Sequence, residues 1–268
     1  MIQVLLVEWM GYPLFRRKTI GKNTIDCGLA PLLRAMNRFE PGIDFECTII
    51  VNEHQNKSPH PIVSKINKYS FLKPFLINNI STNCEEKYNR LSSKYNFVKR
   101  ILYRSNLNQD IGAYDCFYEN LRNHKYQGQV LFLNSSVRGP KQDGWLIKYK
   151  KLFDLEPDTG LCGISLICDR KLLIPHIQSF CLYTSMDILE KVFPTGFLPD
   201  EYRNQQLSKD DLVMKGEVEI SSRVLQSGYG LRCTTFPDFY YKDDDRQWTI
   251  PYGDIRFQEE YCHLANQC

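Results

Sequence analysis

A turn rich in small polar side chains follows a short apolar run near the middle of the chain. The run is Val130–Leu133, and the turn reads Asn134-Ser-Ser-Val-Arg-Gly-Pro140. Serine hydroxyls and an asparagine amide hydrogen-bond phosphate or sugar oxygens, and a guanidinium can bind a phosphate through two parallel bonds. The turn predicts a nucleotide-sugar site made by Asn134, Ser135, Ser136 and Arg138. The competing interpretation is a tight turn satisfied by its own Asn and Ser side chains, with the arginine in solvent.

Acidic side chains follow two other apolar runs. Glu8 comes directly after Ile2–Val7, and Asp110 lies in the polar stretch after Phe97–Tyr103. Carboxylates accept the N–H and hydroxyl hydrogens of a nucleotide base or ribose, so both residues are predicted to contact the donor nucleotide. The alternative for Asp110 is a turn residue before Gly112.

Two further carboxylates precede segments with helical spacing. Glu217 and Asp187 are candidates for a general base, which must lie within hydrogen-bond reach of the proton that it removes. A position at a helix start would keep the carboxylate ionised, because the helix dipole favours negative charge there. The alternative for Glu217 is a structural acid at the helix start, and for Asp187 a helix N-cap.

Apolar runs alternate with helical patterns along the chain. Predicted strands are Ile2–Val7, Phe45–Val51, Phe97–Tyr103, Val130–Leu133, Leu161–Cys168 and Leu231–Phe236. Predicted helices are 26–38, Ala113–His124, Ile188–Phe193 and Glu217–Gln226, whereas 53–90 and the tail from 237 have no clear period. We expect an α/β fold, with a Rossmann-type, mostly parallel central sheet flanked by helices in one domain over 1–268. Ligands of such sheets bind at the carboxyl ends of the strands.

Composition narrows the function classes. The chain has 268 residues, of which 43% are apolar and 24% charged, and this composition excludes a disordered or fibrous chain. A net charge of +3 does not indicate a nucleic-acid partner. Ten cysteines without a C-x-x-C pair favour a reducing compartment over a zinc site. No apolar stretch approaches 18 residues, so we predict no transmembrane segment and a cytoplasmic location.

Several segments resemble a known family in the same order along the chain. They are Arg104–Ala113 (RSNLNQDIGA), Leu131–Pro140, Gly163–Cys168 and Pro175–Ser179 (PHIQS). They resemble a group of glycosyltransferase-like proteins from bacterial polysaccharide clusters, large algal viruses and plants, in which a strand ends in an Asn-x-Ser-x-x-Gly-Pro turn. The resemblance covers roughly residues 100–230. It predicts that His176 and Gln178 contact the acceptor.

A second resemblance concerns the helix after residue 216. Glu217, Arg223 and Gly228 are spaced like the acidic-helix motif of inverting GT-A glycosyltransferases, whose acidic residue is the general base. It implies a GT-A-like fold with Glu217 as base, a nucleoside-diphosphate sugar such as a UDP-sugar as donor, and a glycan or oligosaccharide acceptor. Residues 1–140 would form the nucleotide-binding half and 141–268 the acceptor-binding half. Gly216 departs from the motif, which has another acidic residue there.

The metal site of that family is not matched. GT-A enzymes typically hold Mn²⁺ or Mg²⁺ with an Asp-x-Asp motif at the end of the central strand, whereas this turn, Asn134–Ser136, contains no carboxylate. We therefore predict no protein metal ligand. Either Mn²⁺ or Mg²⁺ is bound weakly with the donor diphosphate, or cationic side chains bind the leaving phosphate, with Arg138 as the local candidate and Arg104 or Lys141 behind it. The missing motif leaves a non-catalytic glycan- or nucleotide-binding module as the alternative. A methyltransferase-like enzyme is disfavoured because no G-x-G-x-x-G follows the first strand.

Overall fold

The computed structural model of the protein describes residues 1–20, 23–53, 86–168, 175–242 and 262–263. The strands are β1 Ile2–Trp9, β2 Arg16–Ile20, β3 Asn23–Cys27, β4 Phe45–Glu53, β5 Val98–Ser105, β6 Gln129–Asn134, β7 Val137–Arg138, β8 Thr159–Gly163, β9 Leu166–Cys168, β10 Pro175–Ile177, β11 Cys181–Ser185, β12 Gly230–Cys233, β13 Phe236–Tyr241 and β14 Cys262–His263. The helices are α1 Leu29–Arg38, α2 over residues 86–94, α3 Gln109–Asn123, α4 Trp145–Phe153, α5 Met186–Val192, α6 Asp200–Arg203, α7 Lys209–Asp211, a π-helix Leu212–Val218 and α8 Glu219–Gln226.

Eight strands form the central sheet, in the order β13-β12-β8-β11-β6-β1-β4-β5. Strand β1 pairs in parallel with β4 and β6, β4 pairs in parallel with β5, and β8 with β12. Only β11 and β13 run antiparallel to their neighbours in this sheet. The predicted α/β class with a mostly parallel sheet is confirmed. Strands from residues 1–140 form one side of the sheet, β5 to β6, and later strands form the other.

The central strands are apolar throughout because helices cover both faces of the sheet. In β6, Val130 and Phe132 belong to one core cluster, and Leu131 and Leu133 belong to the other. Helices α3, α5 and α8 pack on the first face, and α1, α2 and α4 pack on the second. A strand buried on both sides has no polar face, which is why the run Val130–Leu133 predicted β6 correctly.

Three element boundaries differ from the sequence prediction. Leu161–Cys168 is two strands, β8 and β9, because the chain leaves the sheet at Ile164 and Ser165. Leu231–Phe236 is likewise divided between β12 and β13. The helix predicted to begin at Glu217 begins at Lys209, since α7, the π-helix and α8 follow one another without a break.

The other predicted helices form close to their expected places. Helix α1 has Pro31 in its first turn, as expected, and α3 begins four residues before the predicted Ala113. Gly228, with φ of +82°, follows α8 in the left-handed conformation that glycine adopts most readily. Among the described residues, none of the helices combines the length and apolar character needed to cross a membrane. The segment 54–85, predicted as irregular, and most of the tail lie outside the described residues.

The strand order reverses at β1, because the chain moves outward through β4 and β5 and then returns to β6 on the other side of β1. Ligands of open α/β sheets bind outside the carboxyl ends of the strands at such a reversal. Strands β1 and β6 are in register there, with Val7 opposite Asn134. The edge just beyond this pair is therefore the expected location of a site.

Candidate active site

The three polar clusters predicted from sequence lie at this one edge. The Ser135 backbone N–H donates to the Val7 carbonyl at 2.8 Å, which places the turn after β6 beside the Glu8 corner. The Asn134 amide nitrogen donates to Asp110 Oδ2 at 2.8 Å, which ties the same turn to the first turn of α3. Parallel strands ending together brought these chain segments into one place, as the sequence predicted.

Asn134 uses its amide to build the turn. Its Oδ1 accepts hydrogen bonds from the backbone N–H of Ser136, at 3.1 Å, and from the Ser136 hydroxyl. Its Nδ2 is engaged by Asp110. This arrangement matches the structural interpretation of the turn, in which its own Asn and Ser side chains satisfy one another. Asn134 positions Asp110 and the turn, and both side chains are half-buried at the surface of the site.

Glu217 is held at the same edge by residues that precede β11. Its Oε2 accepts the backbone N–H of Ser179 at 3.0 Å and the Ser179 hydroxyl. Its Oε1 lies 3.6 Å from Nε2 of the buried His176. Ser179 is fixed in turn by the buried Tyr114 of α3, whose hydroxyl donates to the Ser179 carbonyl at 2.8 Å. Glu217 keeps 17% of its side chain exposed, so a substrate can reach this carboxylate.

The helix dipole does not explain the charge on Glu217, contrary to the sequence prediction. Glu217 lies in the π-helix, in the middle of the continuous helical run 209–226. The positive end of a helix dipole acts only within the first turn. Hydrogen bonds take its place: burial raises the pKa of Glu217, but the contacts from His176 and Ser179 outweigh burial and hold the pKa below its usual range.

Gly216 lets the Glu217 segment approach α3. A Cβ at position 216 would lie 2.8 Å from Cγ1 of the buried Ile111, closer than carbon atoms pack. The acidic residue that the GT-A motif has at this position would therefore clash with α3 here. Segments of π-helix are rare and frequently occur at functional sites. The glycine and the π-helix together set where the Glu217 carboxylate lies.

The pKa values of the two accessible carboxyl groups, Asp110 and Glu217, are shifted in opposite directions. Burial raises the pKa of Asp110, and repulsion from Glu217 raises it further, although Asn134, Arg104 and Arg16 act in the other direction. Hydrogen bonds from His176 and Ser179 favour the ionised form of Glu217, whereas burial and the Glu217 charge favour the protonated form of Asp110. Pairs of titratable groups whose pKa values are pushed apart mark acid–base sites.

Two guanidinium groups place positive charge near Asp110. Arg104 donates to Asn52 Oδ1 and to the Leu107 carbonyl, both at 2.8 Å, and so fixes the loop before α3. Arg16 donates to the hydroxyl of Ser135 at 2.9 Å and lies 3.7 Å from Glu8 Oε2. Both arginines lower the pKa of Asp110, so their charge reaches the site.

Four predicted site residues have internal contacts instead. Glu8 is 1% exposed and pairs with Arg16, and burial outweighs this pairing to raise the pKa of Glu8. The Ser135 hydroxyl, also buried, accepts from Arg16. Gln178 is buried and its Oε1 accepts the Ser165 hydroxyl at 2.7 Å. His176 is 3% exposed and reaches a substrate only through Glu217. These residues support the site from within.

Two more predicted residues lie away from the Asp110–Glu217 edge. Asp187 is in the first turn of α5, which follows β11. Because β11 runs antiparallel to β6, with Ser185 opposite Gln129, Asp187 lies at the amino end of β6, across the sheet from Asn134. The structure therefore does not bring Asp187 together with Asp110 and Glu217. Arg138 lies in β7 and faces a separate groove beside α1.

Sequence reasoning missed several residues that hold the site together. Ser179 stood inside the recognised Pro-His-x-Gln-Ser stretch, yet nothing in that pattern indicates that it would bind Glu217. Tyr114 and Arg16 had no signal beyond their residue type. Arg223 of the acidic-helix motif donates to the carbonyls of Val192 and Phe197, at 2.9 and 3.0 Å, and therefore braces the loop after α5.

A divalent cation is not matched by the described side chains at this edge. The turn after β6 offers only the amide of Asn134, already engaged, and two serine hydroxyls. Among the described residues no group of three His, Cys, Asp or Glu side chains is placed to bind a metal ion. Mg²⁺ and Mn²⁺ bind through carboxylate oxygens, so the described donor set does not fit a protein-held ion.

Comparisons with known proteins give little information about function. No protein-family model matches this chain, and no curated protein matches it. Eight chains of solved structures match, among them a cytidylyltransferase from Leptospira borgpetersenii serovar Hardjo-bovis (strain JB197). That match has 12% sequence identity and a TM-score of 0.39, and it covers 76% of this chain and 68% of the other. Similarity this low carries no inference about activity.

Proposed function

We propose that the protein is a glycosyltransferase of the GT-A type that uses a nucleoside-diphosphate sugar as donor and a glycan hydroxyl as acceptor. The observation that carries the proposal is the meeting of Asn134, Asp110 and Glu217 at the carboxyl edge of β1 and β6, where the strand order reverses. These residues come from three distant chain segments. The resemblances that identified these residues come from the sequence alone and do not depend on the positions of the residues in the folded protein.

Glu217 would act as the general base. The acceptor oxygen attacks the anomeric carbon and forms the new glycosidic bond, while the bond from that carbon to the diphosphate oxygen breaks. The electron pair of the broken bond leaves with the diphosphate, and the acceptor proton passes to a Glu217 carboxylate oxygen. Its lowered pKa supports this role, because the base must be ionised before the reaction. A single base and a direct displacement imply inversion at the anomeric carbon.

The leaving diphosphate needs positive charge or oriented N–H groups. Arg16 and Arg104 supply two guanidinium charges near Asp110, and the N-terminus of α3, the helix that carries Asp110, lies at the same edge. Asp110 is suited to bind a hydroxyl of the nucleotide sugar. Its carboxylate can accept a hydrogen bond from that hydroxyl, and its protonated form, which the raised pKa favours, can donate one.

A panel of nucleoside-diphosphate sugars tests this proposal. The protein is incubated with each donor and a mixed set of oligosaccharide acceptors, and released nucleoside diphosphate is quantified by chromatography. The anomeric proton of the product, followed by NMR from the first minutes, should report the configuration opposite to that of the donor. Retention of configuration would contradict the role of Glu217, and no turnover or binding of any donor would refute the proposal.

A non-catalytic glycan- or nucleotide-binding module is the second candidate. One observation favours it: the turn after β6 is uncharged at Asn134–Ser136 and its amide is satisfied internally. Calorimetric binding of a nucleoside-diphosphate sugar without turnover on any acceptor would support this candidate over the enzyme.

A further inference from the structure

A groove separate from the Asp110–Glu217 edge runs between α1 and the chain segment 137–141. Its volume is about 400 Å³. The segment begins directly after the Asn134–Ser136 turn in the chain, although none of Asn134, Asp110 and Glu217 lines the groove. The groove follows α1 from Pro31 to Arg38 and reaches Phe39, the residue after the helix.

The charged side chains that line the groove are mostly cationic. They are Arg34, Arg38, Arg138 and Lys141, against one acid, Asp26. Asp26 is already paired with Arg17 at 3.2 Å. The side chains of Arg34 and Arg138 make no ion pair or hydrogen bond with another described residue. A concave surface lined by one sign of charge attracts ligands of the opposite sign.

The groove is longer than a single anionic group. Pro31 and Arg38, which both line the groove, are seven residues apart in α1, which corresponds to about 10 Å at 1.5 Å per residue. Arg34 and Arg38 are one turn apart on the same helix face, with a spacing of about 6 Å. A ligand that engages both of them and Arg138 must carry several negative charges along an extended chain.

The walls of the groove are suited to sugar rings. Phe15, which is 39% exposed, and the half-buried Phe39 contribute apolar surface, and the guanidinium groups of Arg17 and Arg38 lie over their rings. Aromatic side chains offer apolar surface for packing, and arginine binds anionic groups through paired hydrogen bonds. Pyranose rings that carry acid groups can use both kinds of side chain.

We propose that this groove binds the acceptor of the reaction and that the acceptor is an acidic oligosaccharide, with its anionic groups paired to Arg34, Arg38 and Arg138. The proposal rests on the glycosyltransferase function. An acceptor chain lying in the groove beside α1 would direct its end past the Asn134–Ser136 turn towards Glu217.

Binding of fluorescently labelled hexagalacturonate to the full chain tests the proposal. We expect binding at low salt that weakens at high salt, and no binding of the neutral maltohexaose. The double variant R34Q/R38Q should weaken binding about tenfold or more, because two charge-assisted hydrogen bonds are lost. R138Q should weaken binding in the same direction.

The matched control is R90Q/K94Q. Arg90 and Lys94 are exposed, are also one helical turn apart, and lie on α2 away from the groove. This control removes the same charge with the same spacing and should leave affinity within about twofold, as surface charges beyond the screening length contribute little. A second variant, R34K/R38K, keeps the charge and should retain most of the binding.

Several results would overturn the inference. Hexagalacturonate binding that R34Q/R38Q leaves unchanged would exclude the groove. Displacement by inorganic pyrophosphate at equal concentration would assign these arginines to the donor diphosphate, and displacement by a single-stranded RNA hexamer would assign them to nucleic acid. The two failures can be told apart: sugar transfer without hexagalacturonate binding refutes only the groove, whereas groove binding without turnover of any donor refutes the enzyme and, with it, the acceptor role of the groove.

Discussion

Replacing Glu217 with Gln removes the proposed proton acceptor and keeps the shape of the side chain. In the wild type, Oε2 accepts two hydrogen bonds from Ser179 and Oε1 lies 3.6 Å from His176. A glutamine can direct its single carbonyl oxygen at Ser179 and keep both of those bonds. Only the contact with His176 is lost, and a net hydrogen bond contributes about 1 kcal/mol. We therefore expect the melting temperature to fall by about 2–4 °C.

The effect on catalysis should be much larger than the effect on stability. A positioned general base contributes about 10²–10⁴-fold to the rate, so kcat of E217Q should fall by that factor. Donor affinity, measured by calorimetry, should change less than about twofold, because the glutamine amide fills the same space as the carboxylate and only the proton acceptor is lost.

Glu219→Gln is the matched control. Glu219 lies two residues further along the same helical run and pairs with Lys215 at 4.0 Å on a partly exposed surface. Such a pair contributes little, so E219Q should retain wild-type kcat. A kcat for E217Q within threefold of the E219Q value would refute the assignment of Glu217 as base.

Three further predictions test how the site is built. Ser179→Ala removes a hydroxyl donor from Glu217, so its pKa should rise and the acidic limb of the kcat/KM profile should move to higher pH by about one unit. Gly216→Ala should lower both kcat and the free energy of unfolding, because its Cβ would lie 2.8 Å from Cγ1 of Ile111. The added change Ile111→Ala should restore activity. Burial raises the pKa of Asp115 from 3.8 to about 6, so the folded protein binds this proton more tightly than the unfolded chain does. The free energy of unfolding, relative to D115N, should therefore fall by about 2 kcal/mol as pH rises from 4 to 7, as urea titrations at several pH values will show.

The sheet was predictable because its central strands are unambiguous in sequence. Runs such as Ile2–Val7 and Val130–Leu133 have no polar face, which is the pattern of strands covered on both sides. Once the strands are parallel, the polar residues that follow them must meet at one edge. This rule places Asn134 and Asp110 at the same edge, but their contact also requires α3, which carries Asp110, because β1 and β4 lie between β5 and β6.

Directions of individual side chains were not predictable in the same way. Arg138 follows Asn134 by four residues, but β7 turns it towards α1. Asp187 appeared equivalent to Glu217 as a carboxylate before a helix, and only the antiparallel course of β11 places it at the other edge. The start of the Glu217 helical run at Lys209 was not predicted. Residues 209–216 contain no helix stop signal except Gly216, and Gly216 is there for its contact with α3. Such contacts depend on tertiary packing, which local patterns do not encode.

A crystal structure with a bound nucleoside-diphosphate sugar is the decisive test of the assigned site. We expect the anomeric carbon to lie at the edge formed by Asn134, Asp110 and Glu217, with the Glu217 carboxylate facing the side of the sugar opposite the diphosphate. A donor bound elsewhere on the protein, or one whose sugar lies beyond hydrogen-bond reach of any nucleophile held by Glu217, would contradict it.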